Sequence, residues 1–199
     1  MTATRVPYAE AARNLLRDTV LNAVDDLVRS RGWKATTMAD VATAAGVSRQ
    51  TVYNEYGSRQ ALVEAYVARE IQNLITEVGQ AVRASSDDPH AALESAFGLF
   101  LKLASDEPVV QLVVSDSGDT SELLRLLTAA GLTLGVPQIS VLITQSWPQV
   151  DPDDATLVAD SLVRLAVSHA LYPQDDPGTV AASVGRLISK FVDDALGLA

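Results

Sequence analysis

Residues 44–60 read AAGVSRQTVYNEYGSRQ, a glycine between two short apolar-periodic runs followed by a crowd of Ser, Arg, Gln, Thr, Tyr and Asn. Helices this short do not stand alone in water, where about 12 to 15 residues is already marginal, so they must be packed at a fixed angle against a neighbour. Upstream, Thr37 with Asp40 three residues on forms a capping box and opens a short helix over Met38 to Ala45. Gly46 ends that helix and permits a left-handed turn. Ser48 caps the next helix, which runs to about Tyr56, and Gly57-Ser58 closes it and caps a longer one. Ala42 leaves room for a close crossing, while Val47 and Val52 insert between the two short helices. The spacing is that of a helix-turn-helix.

With Val47, Val52 and Tyr56 turned inward, Arg49, Gln50, Tyr53 and Asn54 project from the opposite side, in the half of a recognition helix that meets base edges. Arg suits guanine O6 and N7; Gln and Asn suit adenine N6 and N7. Thr37, Ser48 and Ser58 at helix N-termini, with the Tyr53 hydroxyl and Arg59, are candidate phosphate anchors. Arg5 and Arg13 are candidates for further contacts from the N-terminal arm. An ordinary α-hairpin with a solvated polar face fits the same spacing.

Working outward, helix signals recur along the whole chain and alternating strand patterns are missing, which predicts an all-α protein of nine or ten helices. The first runs from about Tyr8 to Arg31, with Leu15, Leu16, Val20, Ala23, Val24, Leu27 and Val28 as its apolar stripe. The long helix after Gly57 reaches about Ala84. Beyond it, Asp88-Pro89, Glu107-Pro108, Asp151-Pro152 and Asp176-Pro177 each combine an acidic residue with a proline where its missing N–H costs nothing, and each marks a helix start. Segments after Asp119 and after Pro137 are also helical, as one bent helix or two. The expected division is a head at 1–57 and a helical body at 58–199.

The 199 residues include no Cys, which removes disulfides, thiolate metal sites and thiol nucleophiles. The net charge is −10, a balance that at first argues against a polyanionic partner. The distribution reverses this: residues 1–70 hold 9 Lys and Arg against 8 Asp and Glu, whereas residues 71–199 hold 6 against 17. An acidic body behind a locally basic head still permits DNA binding, because charges beyond a Debye length of about 8 Å are largely screened. The N-terminus lacks a signal-peptide core and no run approaches an uninterrupted membrane span, so a cytoplasmic protein without a membrane partner is expected.

No catalytic constellation is legible. His90 and His169 lie far apart without a carboxylate at ligand spacing, and no phosphate-cradling glycine loop or nucleophile elbow occurs. Residues 115–119, SDSGD, read as a loop with helix caps. Asp87-Asp88, Asp153-Asp154, Asp175-Asp176 and Asp193-Asp194 read as caps and solubilising charge. No enzyme, metal or cofactor is expected.

The stretch from Gly32 through Leu62, GWKATTMADVATAAGVSRQTVYNEYGSRQAL, resembles the DNA-binding head of the TetR-type (TetR/AcrR) one-component transcriptional regulators. The resemblance is carried by Thr36-Thr37, Asp40-Val41-Ala42, Ala45-Gly46-Val47-Ser48, Thr51-Val52-Tyr53, Tyr56, Ser58-Arg59 and Leu62. Tyr56 and Arg59 stand where Phe and Lys are usual. It implies a homodimer on an operator with dyad symmetry, with Thr51 joining the DNA-contacting set, and a C-terminal body that holds a small-molecule effector. The expected function is thus a ligand-responsive repressor released from its operator by a small apolar molecule. The alternative is an all-α ligand-binding or scaffold dimer without specific DNA recognition.

In the body, Val180, Val184, Leu187, Ile188, Phe191, Val192 and Ala195 form a broad stripe on the last helix, and Leu157, Val158, Leu162, Leu165 and Ala166 one on the helix before it. Paired across two chains they would close a four-helix bundle; burial within one chain competes with that reading. Phe97, Phe100, Leu101, Val113, Leu123, Leu127, Leu142, Ile143 and Trp147 are candidates for the wall of an effector cavity, with plain core as the alternative. Trp147 and His169 add a polar tip able to orient a ligand, although His169 also fits a packing role.

Overall fold

The computed structural model describes residues 7–114 and 121–197. Among them the chain is helical with no strand: α1 (Tyr8–Arg31), α2 (Met38–Ala44), α3 (Arg49–Tyr56), α4 (Arg59–Ala84), α5 (Pro89–Asp106), α6 (Pro108–Val114), α7 (Ser121–Ala130), α8 (Val136–Ser146), α9 (Pro152–Leu171) and α10 (Pro177–Leu196). The SDSGD stretch lies outside the described residues. Four of the starts are the acidic-proline pairs. At three of these, Asp88, Asp151 and Asp176 each accept a backbone N–H in the first turn, satisfying a donor the helix itself cannot pair.

The chain folds as two compact units, one ending at Tyr66 and the other beginning at Val67. The break therefore falls inside α4 rather than at residue 57. The reason is that the first two turns of α4 belong to the head: Leu62, Val63 and Tyr66 are buried there, and the Tyr66 hydroxyl donates to Asp25 Oδ1 of α1 at 2.8 Å.

In the head unit, α1 buries Val20, Leu21, Ala23, Val24 and Val28. Its expected stripe fails at Leu15, which is 69% exposed, while Leu16 beside it is half-buried. The α2–α3 turn has Gly46 at φ 67°, with its N–H on Thr43 O and the Val47 N–H on Ala42 O. These paired bonds satisfy the last carbonyls of α2 and turn the chain into α3.

In the body unit, α5 packs on α10 and α8 on α9. One core joins Val78 and Val82 of α4, Ala92 and Ala96 of α5, Leu142, Ile143 and Trp147 of α8, and Ala155 and Ala159 of α9. A second gathers Phe97 and Leu101 with Leu162, Ala166, Val180, Ala181 and Val184. Between α7 and α8 the helix does not stop; Gly131–Gly135 form a π-helical turn. Pro137 has no N–H to donate one turn back and its ring crowds that carbonyl, so the backbone widens instead of breaking. The two segments after Asp119 and Pro137 are thus one helical run. By length and mean hydropathy, 1.8 over its most apolar window, the run Glu122–Ser146 qualifies as a membrane span. Part of the run packs inside the unit, with Leu123, Leu126, Leu127, Leu142 and Ile143 buried, whereas Val141 is 51% exposed.

Candidate functional site

The polar ridge sits on α3. Ser48 accepts the Thr51 N–H at 3.0 Å and its hydroxyl pairs with that of Thr51 at 2.8 Å, so both hydroxyls are fixed at the helix N-terminus. Val52 is fully buried and anchors the inner face. Arg49, Gln50, Tyr53 and Asn54 are all exposed on the outer side. Gln50 Nε2 donates to Asn54 Oδ1 at 2.7 Å, one helical turn away. This bond orients both amides before any partner arrives, which lowers the ordering entropy a contact would otherwise cost.

Around the ridge, Thr37 caps α2 through its Oγ1 and lies exposed. Asp40 completes the capping box and also bridges Arg31 at 2.9 Å. The Thr37 hydroxyl, followed by the Thr37 N–H and Arg31, holds the Asp40 carboxyl below the usual range against a smaller opposing push from burial. Ser58 accepts the Ala61 N–H and caps α4.

Arg59, an expected phosphate anchor, and Arg13, an expected contact from the N-terminal arm, both hold partners within the head. Arg59 turns toward the α1–α2 connection: its Nη2 donates to Trp33 O at 2.7 Å, its Nε to Thr36 O at 3.1 Å, and its guanidinium lies 4.0 Å over the Trp33 ring. It therefore clasps the start of α4 to the turn before α2. Arg13 is tied to Glu55 of α3 at 2.9 Å, and Arg17 hydrogen-bonds the same carboxylate. Arg5 lies outside the described residues.

Glu55 itself escaped the sequence reading. Its carboxylate stands on the would-be DNA helix, where an unpaired negative charge would oppose phosphate. Burial pushes the Glu55 carboxyl up, but hydrogen bonds and charge from Arg17 and Arg13 outweigh it and leave the pKa lowered. The partners lie 42 and 38 residues away, and no local pattern announces them.

The body holds a cavity of about 100 Å³ walled by α4, α5, the π turn, α8 and α9. Its lining includes Ile71, Ile75, Val78, Phe97, Phe100, Gly135, Ile139, Leu142 and Ala166, and no side chain in the wall carries a polar group. Gly131 and Gly135 let the π turn approach α9: a β-carbon on Gly131 would stand 3.0 Å from Val167, and one on Gly135 3.4 Å from Val163. Of the sequence-proposed lining, Phe97, Phe100, Leu142 and Ile143 reach the cavity. Leu101 lies in the adjoining core, Val113 is half-buried on α6, and Leu123 and Leu127 are buried on α7. Trp147 sits in the other core with its indole N–H on Ser86 O at 2.9 Å. His169 meets the edge of Phe97, centroids 6.4 Å apart, and is not among the cavity walls. The wall residues on α4, Ile71, Ile75, Val78 and Val82, went unread because their stripe continues that of the head without interruption.

On the outside of the body, α9 and α10 each bury one flank and leave a leucine bare: Leu157 is 57% and Leu187 71% exposed. His90 of α5 pairs with Asp193 of α10 at 2.8 Å, across the junction of those two helices.

Residues 20–66 match the family described as "Bacterial regulatory proteins, tetR family", and residues 88–190 match "Bacterial Tetracyclin repressor, C-terminal domain". The chain is 37% identical over 193 residues to the HTH-type transcriptional regulator AlkX of Mycobacterium tuberculosis, covering 95% of this chain and 90% of that one. Among solved structures, it resembles the TetR family repressor AlkX from Dietzia sp. strain DQ12-45-1b, implicated in biodegradation of n-alkanes. That likeness has TM-score 0.77 and 30% identity and covers 90% and 96% of the two chains. Thermus thermophilus FadR, a TetR family repressor solved with lauroyl-CoA, shares the fold at TM-score 0.58 and 22% identity, over 87% of this chain and 93% of that one.

Proposed function

Since the chain belongs to the TetR family of bacterial transcriptional regulators, with a helix-turn-helix DNA-binding domain at its N-terminus, we propose that it is a cytoplasmic, homodimeric repressor released from a palindromic operator by a small apolar molecule. Arg49, Gln50 and Asn54 read base edges in the major groove, and Thr37, Ser48, Thr51, the Tyr53 hydroxyl and Ser58 set the register on phosphate. The exposed Leu157 and Leu187 on α9 and α10 form part of the dimer seam. A dimer supplies the two recognition helices that half-sites about one turn of DNA apart require.

The observation that carries this reading is the course of α4. One uninterrupted helix starts at Arg59, clasped to the head, and ends by supplying Ile71, Ile75, Val78 and Val82 to the cavity wall. A ligand that favours one position of this wall biases the helix on which the head is mounted, and DNA and ligand then weaken each other reciprocally. The wall's chemistry selects an aliphatic ligand. An apolar cavity stays dry and takes up apolar molecules, and the Dietzia relative's link to n-alkanes agrees with that class.

The test is selection of bound duplexes from a random library, followed by release assays with aliphatic compounds. Ala166→Phe places a ring in the cavity. This variant is expected to keep its operator affinity while needing more than about tenfold more effector for release, at an overpacking cost of about 1–3 kcal/mol in stability. Unchanged release by the same compounds would place the effector elsewhere.

A further inference from the structure

A cavity wall without a polar group fixes where a ligand's own polar group cannot go. Buried there, a hydroxyl or carboxyl would lose its water and find no partner. The edge of the cavity offers one. Gln72 of α4 and Gln138 of α8 face each other, Gln72 Nε2 donating to Gln138 Oε1 at 3.0 Å and Gln138 Nε2 to Gln72 Oε1 at 2.8 Å. Gln72 adjoins Ile71 and lies one helical turn before Ile75; Gln138 adjoins Ile139 and lies one turn after Gly135. All four of those neighbours wall the cavity. Residues three apart share a helix face, so the amide pair fastens α4 to α8 along the solvent edge of that wall. Gln72 is exposed and Gln138 half-buried. Water competes for such a pair, and opening it costs little.

We infer that the effector is an aliphatic chain ending in a hydroxyl or carboxyl, with its tail in the cavity and its oxygen head taken up between the side-chain amides of Gln72 and Gln138. This rests on the reading of the cavity as the effector site and adds the ligand's head group to it. Each amide Nε2 then donates to the ligand head, and the Oε1 atoms released from the pair turn to water at this exposed edge. The exchange also unfastens α4 from α8. That gives the ligand a contact available in only one of the two states, which a regulatory ligand requires.

The experiment uses the full chain, wild type and the double variant Gln72→Leu with Gln138→Leu, titrated calorimetrically with octane, 1-octanol and octanoate and assayed for release of a selected operator. In the wild type, 1-octanol or octanoate is expected to bind at least as tightly as octane, although an unpaired head group would make it the weaker ligand. In the double variant the headed ligand is expected to lose about tenfold, roughly one net hydrogen bond, while octane is unaffected. The variant also lacks the bond between α4 and α8, so its operator affinity without ligand is expected to fall, and a helical circular dichroism spectrum at wild-type strength certifies the fold. A second variant, Gln72→Glu, is expected to weaken octanoate more than 1-octanol through like charge. Octane binding more tightly than both headed compounds, or headed compounds indifferent to all the variants, overturns the head-group assignment and leaves the cavity reading standing. Failure of all three compounds to bind overturns both.

Discussion

Replacing Arg59 by Ala removes two hydrogen bonds and a stacked cation from the point where α4 joins the head. Trp33 O keeps a partner after the change, since the Thr36 N–H already donates to it at 3.0 Å. Thr36 O loses the Arg59 donor, in a residue only 1% exposed. A hydrogen bond from a charged donor is worth about 1.5–3 kcal/mol, and a guanidinium over an indole about 0.5–2 kcal/mol. These terms overlap because one group supplies both, so a loss of about 2–4 kcal/mol is expected. Against a total of about 5–15 kcal/mol this is a large fraction. The assay is urea unfolding of the head followed by Trp33 fluorescence in a Trp147→Phe background, where the midpoint should fall with the slope unchanged. Arg59→Lys should recover only part of the loss, because one ammonium cannot span two carbonyls and stack as a planar group does. An Arg59→Ala variant that leaves the urea midpoint in place and instead lowers the salt slope of DNA binding by about one phosphate contact would refute the clasp.

Acid should loosen the head through Glu55. Its folded pKa is lowered from 4.5, so its contribution is complete above that value and is lost as pH falls through the lowered one. Urea midpoints taken from neutral pH into that acid range should decline more steeply for wild type than for Glu55→Gln, and parallel curves would show that the Arg13 and Arg17 pairing contributes nothing. On the body, Leu157→Glu with Leu187→Glu should convert the dimer to monomer in analytical ultracentrifugation and abolish tight operator binding; a dimer that survives both charges has its seam elsewhere. Tyr53→Phe should weaken all duplexes alike in gel-shift titrations, since its hydroxyl is assigned to phosphate, and a loss confined to certain sequences would reassign it to base reading.

The head was readable from the chain because its determinants are local. The Thr37–Asp40 box, the Gly46 turn and the Ser48 cap each act within five residues, and the acidic-proline starts of the body are equally short-ranged. What stayed illegible depends on distant partners. Arg59 looks like a surface cation until Trp33 and Thr36, 26 and 23 residues away, are brought beneath it. Leu15 continues a perfect helical stripe, but periodicity says nothing about whether a neighbour exists to cover it. The same limit holds in the body, where apolar residues at helical spacing fill core and cavity wall alike. Phe100 lines the cavity, whereas Leu101 beside it, on another face of the same helix, packs in the core.

The central claim is that α3 presents its polar ridge to base edges. Selection of bound duplexes by wild type and by Asn54→Ala, with the preference read at each base pair, tests it most directly. The expected result is a two-fold symmetric motif for wild type, with discrimination falling by about 1–3 kcal/mol at one symmetry-related pair of positions in the variant. A motif unchanged by Asn54→Ala and by Arg49→Ala alike, or no sequence preference in the wild type, would contradict it.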